Sequence, residues 1–450
     1  MTDPKSPAAD SGGVRFLDDV RVLEIASLSP TQLGMHLADL GAEVIKIEPP
    51  ERGDATRLIG TRPGYTDSGL HRRWNRGKRS LALDTHSSAG LDLLRRLIPT
   101  MDVVIEGLRP GTLAKMGLTR ELLTELKPNL VTVSLSGYGQ TGPYRDLPGH
   151  GVGFDAVAGL AGIEQDADGQ PCVPSRHVYF GALVAPLLGA SATLAALSWC
   201  RRTGQPAFLD IAQSDAAAFA NYAMEEAVAE QRAAAAGTVA PPPASPAAAG
   251  ERARGSTMQA YRTRDGKVLM VMALERKFFL RLAEATGRPD LAVHAEGSGH
   301  VVRGSPEIDA ALIAAIATRD MADWMEIFAR ADVPVVPVNE GAAVADDPQM
   351  LARIEWIEAD QGTVTMKSPV RSDPAIAAPA PAPTLGQDTA EVLGAIKLDP
   401  ADLDRLAAEG IIHIDGPAGS PCRTSSPAAD LAGPIQATPD SNRRRERWPS

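Results

Sequence analysis

The sequence predicts an α/β protein built on a doubly wound parallel sheet, followed by a smaller α+β unit. Three observations predict this. Apolar runs of strand length alternate with helical patterns between residues 18 and 134. A Pro/Ala tract, AAAAGTVAPPPASPAAAG at 233–250, then interrupts the chain with a segment that cannot pack a core. Beyond it the pattern changes to a hairpin followed by helices. The 450-residue length suits two compact units plus tails, and 44% apolar with 22% charged residues is a globular composition.

The first unit opens with VRVLEIA, then SLSPT, a helical pattern through Met35, Leu37 and Leu40, Gly41, and a second apolar run, AEVIKIE. Strand, helix and strand in so short a span imply parallel pairing through a right-handed crossover. The unit recurs as a strand at 80–84, a helix at 90–97, a strand at 102–106, helical segments at 113–126 and a strand at 130–134. The most apolar stretch, 181–200, is broken by Gly189, Ser191 and Thr193 and stopped by Arg201 and Arg202, so it reads as a buried helix rather than a membrane span. After the Pro/Ala tract, YRTRDGKVLMVMA is a hairpin turning at Asp265 and Gly266. A helix at 275–286, a helical span at 308–331 and a short strand in VPVVPV at 333–338 follow. Beyond Pro374 the chain is proline-rich as far as TLGQDT, where a short helix resumes. The expected divisions are a disordered tail at 1–14, a large unit at 15–232, a linker at 233–256, a small unit at 257–332, a C-terminal segment at 333–415 and a disordered tail at 416–450.

The formal net charge of -11 repels phosphates and acidic membrane surfaces, so no nucleic-acid or membrane partner is expected. Any anionic ligand then needs a local basic cluster. Cys172, Cys200 and Cys422 are scattered without C-x-x-C spacing, which argues against a disulfide framework and a zinc site. The N-terminal MTDPKSPAADSGG carries no apolar export segment, and a reducing cytoplasm is the expected location. No G-x-S-x-G, H-E-x-x-H, P-loop or G-x-G-x-x-G is present. The nearest pattern, GHGVGF at 149–154, has the wrong glycine spacing, and the SLSPT turn has no glycine, which disfavours a nicotinamide or flavin enzyme.

Positive charge concentrates in HRRWNRGKRS, where Arg72, Arg73, Arg76, Lys78 and Arg79 surround Trp74. A second pair, Arg109 and Lys115, follows the strand ending at Glu106. Cations beside an aromatic ring offer phosphate pairing and a flat face for a base; a solvated surface loop would look the same.

In order and spacing, VRVLEIASLSPTQLGMHLADLGAEVIKIEPPERGDATR, NRGKRSLALD, DVVIEGLRPGTLAKMGL, LVTVSLSGYGQTGPYRDLPGH and RRTGQPAFLDIAQSDA resemble the class III CoA-transferases, a family that also holds the α-methylacyl-CoA racemases. AYRTRDGKVLMVMALERKFF, VPVVPVNEGAAVADDPQMLAR and APTLGQDTAEVL agree too, and the match runs over 16–397. The resemblance implies a Rossmann-like large domain completed by a returning C-terminal segment, a small α+β domain, and two chains interlinked as a homodimer. It implies acyl-CoA and carboxylate substrates, with no metal or further cofactor. The adenine and phosphates of CoA would lie near Asn75, Arg76, Lys78, Arg79, Leu108, Arg109 and Lys115. Gly137, Tyr138, Gly149 and His150 would border the thioester.

In these transferases an aspartate at the start of the glycine- and alanine-rich helix attacks the thioester. Here the matching position falls on Phe180, Gly181 or Ala182, and no carboxylate occupies it. Asp155, Asp166 and Asp168 are the nearest acids. Asp155 is expected to cap the next helix, and His177, beside the vacant position, to be an exposed loop histidine that is chemically able to act as a base. The racemases carry a histidine where His150 stands, used to exchange an α-proton, and Glu275 in ALERKF is also racemase-like, although an acid at a helix N-terminus needs no catalytic role. Three functions stand at this level: CoA transfer to a carboxylic acid, racemisation or epimerisation through His150, and CoA binding without chemistry.

Overall fold

The computed structural model describes residues 13–61, 65, 67–237, 255–359 and 362–415. The large unit runs β1 (Arg21–Ile25), α1 (Thr31–Asp39), β2 (Glu43–Glu48), α2 (Gly69–Asn75), β3 (Lys78–Leu83), α3 (Ser88–Leu97), β4 (Val103–Glu106), α4 (Thr112–Lys115), α5 (Arg120–Leu126) and β5 (Val131–Ser136). It continues through α6 (Val152–Val157), a small antiparallel pair β6 (Glu164–Gln165) and β7 (Pro171–Cys172), α7 (Phe180–Thr203), β8 (Ala207–Ala212), α8 (Gln213–Ala220) and α9 (Tyr222–Ala235). Then come β9 (Met258–Arg262), β10 (Val268–Met272), β11 (Val335–Pro337), the hairpin β12 (Trp356–Ala359) and β13 (Thr363–Met366), and β14 (Ile412–His413).

Seven strands form the main sheet in the order β14-β3-β2-β1-β4-β5-β8, all parallel except β14. Successive side chains of a strand point to opposite faces, and each face here has its own core. Leu23, Ile45, Leu81 and Val104 pack beneath α3 and α5, whereas Val22, Val44, Val103 and Val133 pack beneath α1 and α7. The order reverses between β1 and β4, and in open parallel sheets ligands bind at such a switch, beyond the carboxyl ends of the strands.

Charged residues interrupt these strands, and those on β1, β2 and β3 find counter-charges. Glu24 on β1 and Lys46 on β2 are register partners, 3.2 Å apart and fully buried. Lys46 also reaches Asp54 at 2.6 Å, and Lys78 on β3 places its ammonium 2.8 Å from Glu24. Glu48 takes two hydrogen bonds from Arg57, each 2.8 Å, and a third from Ser80 on β3. Arg57 in turn pairs with Asp67. Such burial is tolerable only because the ions are paired and hydrogen-bonded.

The chain returns to complete this sheet. Asp388 accepts the Ser80 N–H at 2.8 Å, the Thr389 hydroxyl accepts the Ala82 N–H, and β14 pairs antiparallel with β3. In the small unit β9 and β10 form the expected hairpin, with Gly266 at φ 80°, and Tyr261, Phe279, Trp324 and Phe328 form its core.

The structure shifts three expected boundaries. α9 continues to Ala235, into the span read as linker, and the rest of that tract, from 238, lies outside the described residues, as do 1–12 and 416–450. The helical span at 308–331 is two helices, Pro306–Ile316 and Met321–Arg330, because Trp324 Nε1 donates to the orphan carbonyl of Ile316 at 2.8 Å and fixes the break. The strand in VPVVPV pairs with β10, so the small unit runs to Pro337 rather than ending at 332.

Burial works to raise the Glu48 pKa, but the Arg57 and Lys46 charges overcome it and hold the group at about 2, below its ordinary 4.5. A carboxylate depressed in this way stabilises the fold above pH 4.5, and that contribution is lost as the pH falls through about 2. Glu48→Gln should therefore cost about 3–5 kcal/mol in urea unfolding at pH 7, because Arg57 loses its buried counter-charge and keeps only the more exposed Asp67. The stability of the variant should also fall less steeply than the wild type's across that acid range.

Candidate active site

Four segments meet beyond the carboxyl ends of the central strands: the loop after β1, the loop after β4, the long loop after β5, and the start of α7. Ser29 in the first donates to the Gln213 side chain at 2.7 Å, and Gln32 donates to the Ala182 carbonyl at 2.8 Å. The Gly137 carbonyl accepts the Ser214 N–H. Leu28, at φ 61°, holds a left-handed conformation just beyond β1, a strain that side-chain-bearing residues adopt seldom and that clusters at functional sites.

Small residues permit the close approach. A Cβ on Gly181 would lie 2.5 Å from the Gln213 carbonyl oxygen, and one on Gly189 would lie 2.5 Å from Leu33. Gly137 and Gly149 both pack against the Phe154 ring, and Gly149 also meets Tyr138. Tyr138 stands edge-on to Phe154 with ring centroids 5.3 Å apart. Gly137, Tyr138 and Gly149 are thus assembled around one aromatic ring. His150, next to them, is exposed, and its carbonyl accepts the Gly153 N–H.

The basic segment differs from the free cluster expected of it. Arg76 is buried and forked onto Asp39 at 2.8 and 2.5 Å. Lys78 is buried against Glu24, the Thr31 carbonyl and Asn75, and this burial pulls its pKa down to about 8 despite Glu24. Asn75 also meets His71, whose pKa burial and Arg57 lower to about 3. Arg79 is divided between Glu43, Asp388 and Glu391. These four side chains hold the fold, and their charge is balanced within the chain. Arg72 lies over the Tyr65 ring and lines a cavity of about 570 Å³ with Asp67, Glu358 and Thr365.

Arg109 and Lys115 are placed differently. Both are exposed beyond β4, and no ion pair among the described residues engages either. Leu108 between them and the strand donates its N–H to Glu106 at 2.9 Å. Glu106, Thr132, Gln140 and Asp210 border a cavity of about 110 Å³ beside them. Burial, and the neighbouring Asp210, raise the Glu106 pKa.

The vacancy at the start of α7 is filled from elsewhere in the chain. Residues 180–182 bring no carboxylate, but Asp155, fully buried on α6, accepts the N–H of Gly181 at 2.8 Å and that of Phe180 at 3.1 Å. Its Oδ2 also lies 2.8 Å from Nε2 of His177. Asp155 therefore caps α7, the expected role, from inside a helix rather than from a loop. His177 departs from expectation, since its side chain retains only 6% exposure. Glu275 begins the helix Arg276–Ala285 without a side-chain cap bond and leans toward Lys277; no hydrogen bond or ion pair among the described residues joins it to His150. Periodicity does not disclose the Asp155 pairing, because the intervening residues follow no repeat.

A match to the family model for CoA-transferase family III spans residues 17–389. The chain belongs to CoA-transferase family III. Members of this family move CoA between an acyl-CoA and a carboxylate. Among curated members, the chain is 33% identical over 414 residues to the succinyl-CoA--D-citramalate CoA-transferase of Chloroflexus aurantiacus, covering 88% of this chain and 98% of that protein. It is 30% identical to the succinyl-CoA:glutarate CoA-transferase of Mus musculus, over 90% of this chain and 92% of that one. The crystal structure of a CAIB/BAIF family protein from Brucella suis superposes with a TM-score of 0.67 at 29% identity, covering 84% of this chain and 98% of that one. The two-unit α/β architecture is the one this family shares.

Gly181→Ala should test the packing that builds the site. Its methyl group has no room against the Gln213 carbonyl, so the variant should lose about 1–3 kcal/mol in chemical denaturation. Ala182→Gly, one residue on, should lose no more than about 1 kcal/mol.

Proposed function

We propose that the protein moves CoA between a succinyl-type dicarboxylic acyl-CoA and a free dicarboxylic acid. The observation that carries this reading is the identity of the relatives. Those matched along most of their length include transferases named for succinyl-CoA with citramalate, glutarate or malate. The acyl group passes from the CoA sulfur to the acceptor carboxylate as an anhydride, with release of the CoA thiolate. The thiolate then attacks the acceptor's carbonyl, and the donor acid departs. Atoms and charge balance without any change of oxidation state.

Within this reading, Arg109 and Lys115 pair with the phosphates of CoA, since they are the cations beside the strand ends whose charge is not already spent. Leu108 lies alongside the nucleotide. Gly137, Tyr138 and Gly149 border the thioester, and the exposed His150 contacts its carbonyl oxygen. Asn75, Arg76, Lys78 and Arg79 act by fixing the strands beneath the ligand. The protein works as a homodimer in the cytoplasm. Support for self-association comes from the apolar side chains left open along α6 to α9: Val157, Leu187, Phe219 and Tyr222 are between 52% and 82% exposed. α7 is long and apolar enough to cross a bilayer, yet Ala185, Gly189, Ala190 and Leu197 on one side of it are buried against the sheet and its neighbours.

The test is exchange between unlabelled succinyl-CoA and a panel of isotope-labelled dicarboxylic acids. A labelled acyl-CoA should form, with no deuterium entering the α-carbon from heavy water. Deuterium uptake without an acceptor would instead identify a racemase. Arg109→Ala combined with Lys115→Ala should raise KM for the acyl-CoA about tenfold or more and leave kcat within about threefold. His150→Ala should lower kcat/KM at least tenfold.

A further inference from the structure

A carboxylate that attacks a thioester must offer a free oxygen. Asp155 cannot, because it is fully buried and both of its oxygens are engaged. Oδ1 accepts from Gly181, and Oδ2 accepts from Phe180 and faces the His177 ring.

The imidazole is the partner with chemistry to spare. With Nε2–H donating to Asp155, the second ring nitrogen, Nδ1, is the one left to present a lone pair. No hydrogen bond among the described residues engages Nδ1. Tyr179 stands edge-on to the ring at 5.3 Å, and that tyrosine packs on Gly151, one residue beyond His150. Through Tyr179 the ring adjoins the turn that carries Gly149, His150 and Gly151, at the helix end where residues 180–182 supply no carboxylate.

Resting on the reading of the protein as a CoA-transferase, we propose that His177, held by Asp155, takes the acyl group from CoA. Nδ1 attacks the thioester carbonyl carbon, the C–S bond breaks, and its electron pair leaves on the CoA thiolate. The product is an acyl-imidazolium whose positive charge faces Asp155 through Nε2–H. The acceptor carboxylate then attacks the acyl carbon, the C–N bond breaks, and the lone pair returns to Nδ1. The resulting anhydride is opened by the CoA thiolate at the acceptor's carbonyl, forming the new thioester and releasing the donor acid. No proton is gained or lost over the cycle. Asp155 is a positioning residue in this scheme: it sets the tautomer and offsets the charge without touching substrate.

Two variants test this. His177→Ala should retain cooperative unfolding and acyl-CoA binding, lose at least 10²-fold in transfer rate, and recover part of that loss when free imidazole is added. Asp155→Asn keeps an oxygen for the Gly181 N–H and loses only the longer Phe180 bond, but the amide nitrogen in place of Oδ2 donates to Nε2 and forces the proton onto Nδ1. It should lower kcat about 10³-fold with KM for the acyl-CoA unchanged, the pattern expected when the wrong tautomer is imposed. Transfer by His177→Ala within threefold of wild type would overturn the proposal. So would a loss accompanied by failed CoA binding and no imidazole rescue, which would make the pair a structural clamp. Wild-type protein inactive with every thioester and acid pair would instead sink the parent reading of CoA transfer, separating the two failures.

Discussion

A charge set inside a sheet must meet its opposite there, and this requirement governs the first three strands. Glu24, Lys46 and Ser80 are successive register partners across β1, β2 and β3, with Glu48 two residues after Lys46 and Lys78 two residues before Ser80. Sliding any of these strands by one residue would separate the pairs and turn each side chain to the other face. Leaving an ion of this kind alone in the interior costs several kcal/mol, so the charges select one register where apolar residues would tolerate several. The loops beyond the strand ends inherit that precision. The turn after β1 carries Leu28, Ser29 and Gln32 into the contacts that assemble the site.

Much of this was legible in the residues, for reasons that can be named. β1 to β5 and the helices α1, α3, α4 and α5 follow from the alternation of strand and helix patterns, α2 does not, and the hairpin at Asp265 follows from its turn residues. The ion pairs of the arginine-rich segment did not, because counting charges treats every cation as free. Arg76 meets Asp39 across 37 positions and Arg79 meets Asp388 across 309, and neither separation leaves a local signature. A clue was present: Glu24, Lys46 and Glu48 interrupt apolar strands, and charges in strands covered on both faces require partners. The glycine-rich loop stood out in the sequence, and the structure gathers Gly137, Tyr138 and Gly149 around Phe154; the Asp155–His177 pairing, 22 positions apart, left no local signal.

The start of α7 shows how one local arrangement serves packing and chemistry together. Glycine and alanine on its inner side let the helix lie close to α1, β8 and α8. That closeness brings its first N–H groups to Asp155, so the carboxylate satisfies the helix end and orients the His177 ring at once. A bulkier inner face would push the helix outward and undo both.

The edge strand β14 has a consequence for how the molecule is made. Because β3 is flanked on one side by residues 412 and 413, a nascent chain that has already released β1 to β8 still carries an open sheet edge until those residues have left the ribosome. Through that interval β3 presents unpaired backbone groups of the kind that recruit foreign strands. Synthesis is thus the period of greatest exposure to misassembly, and it ends when the chain's late segment closes the sheet that its first segments began.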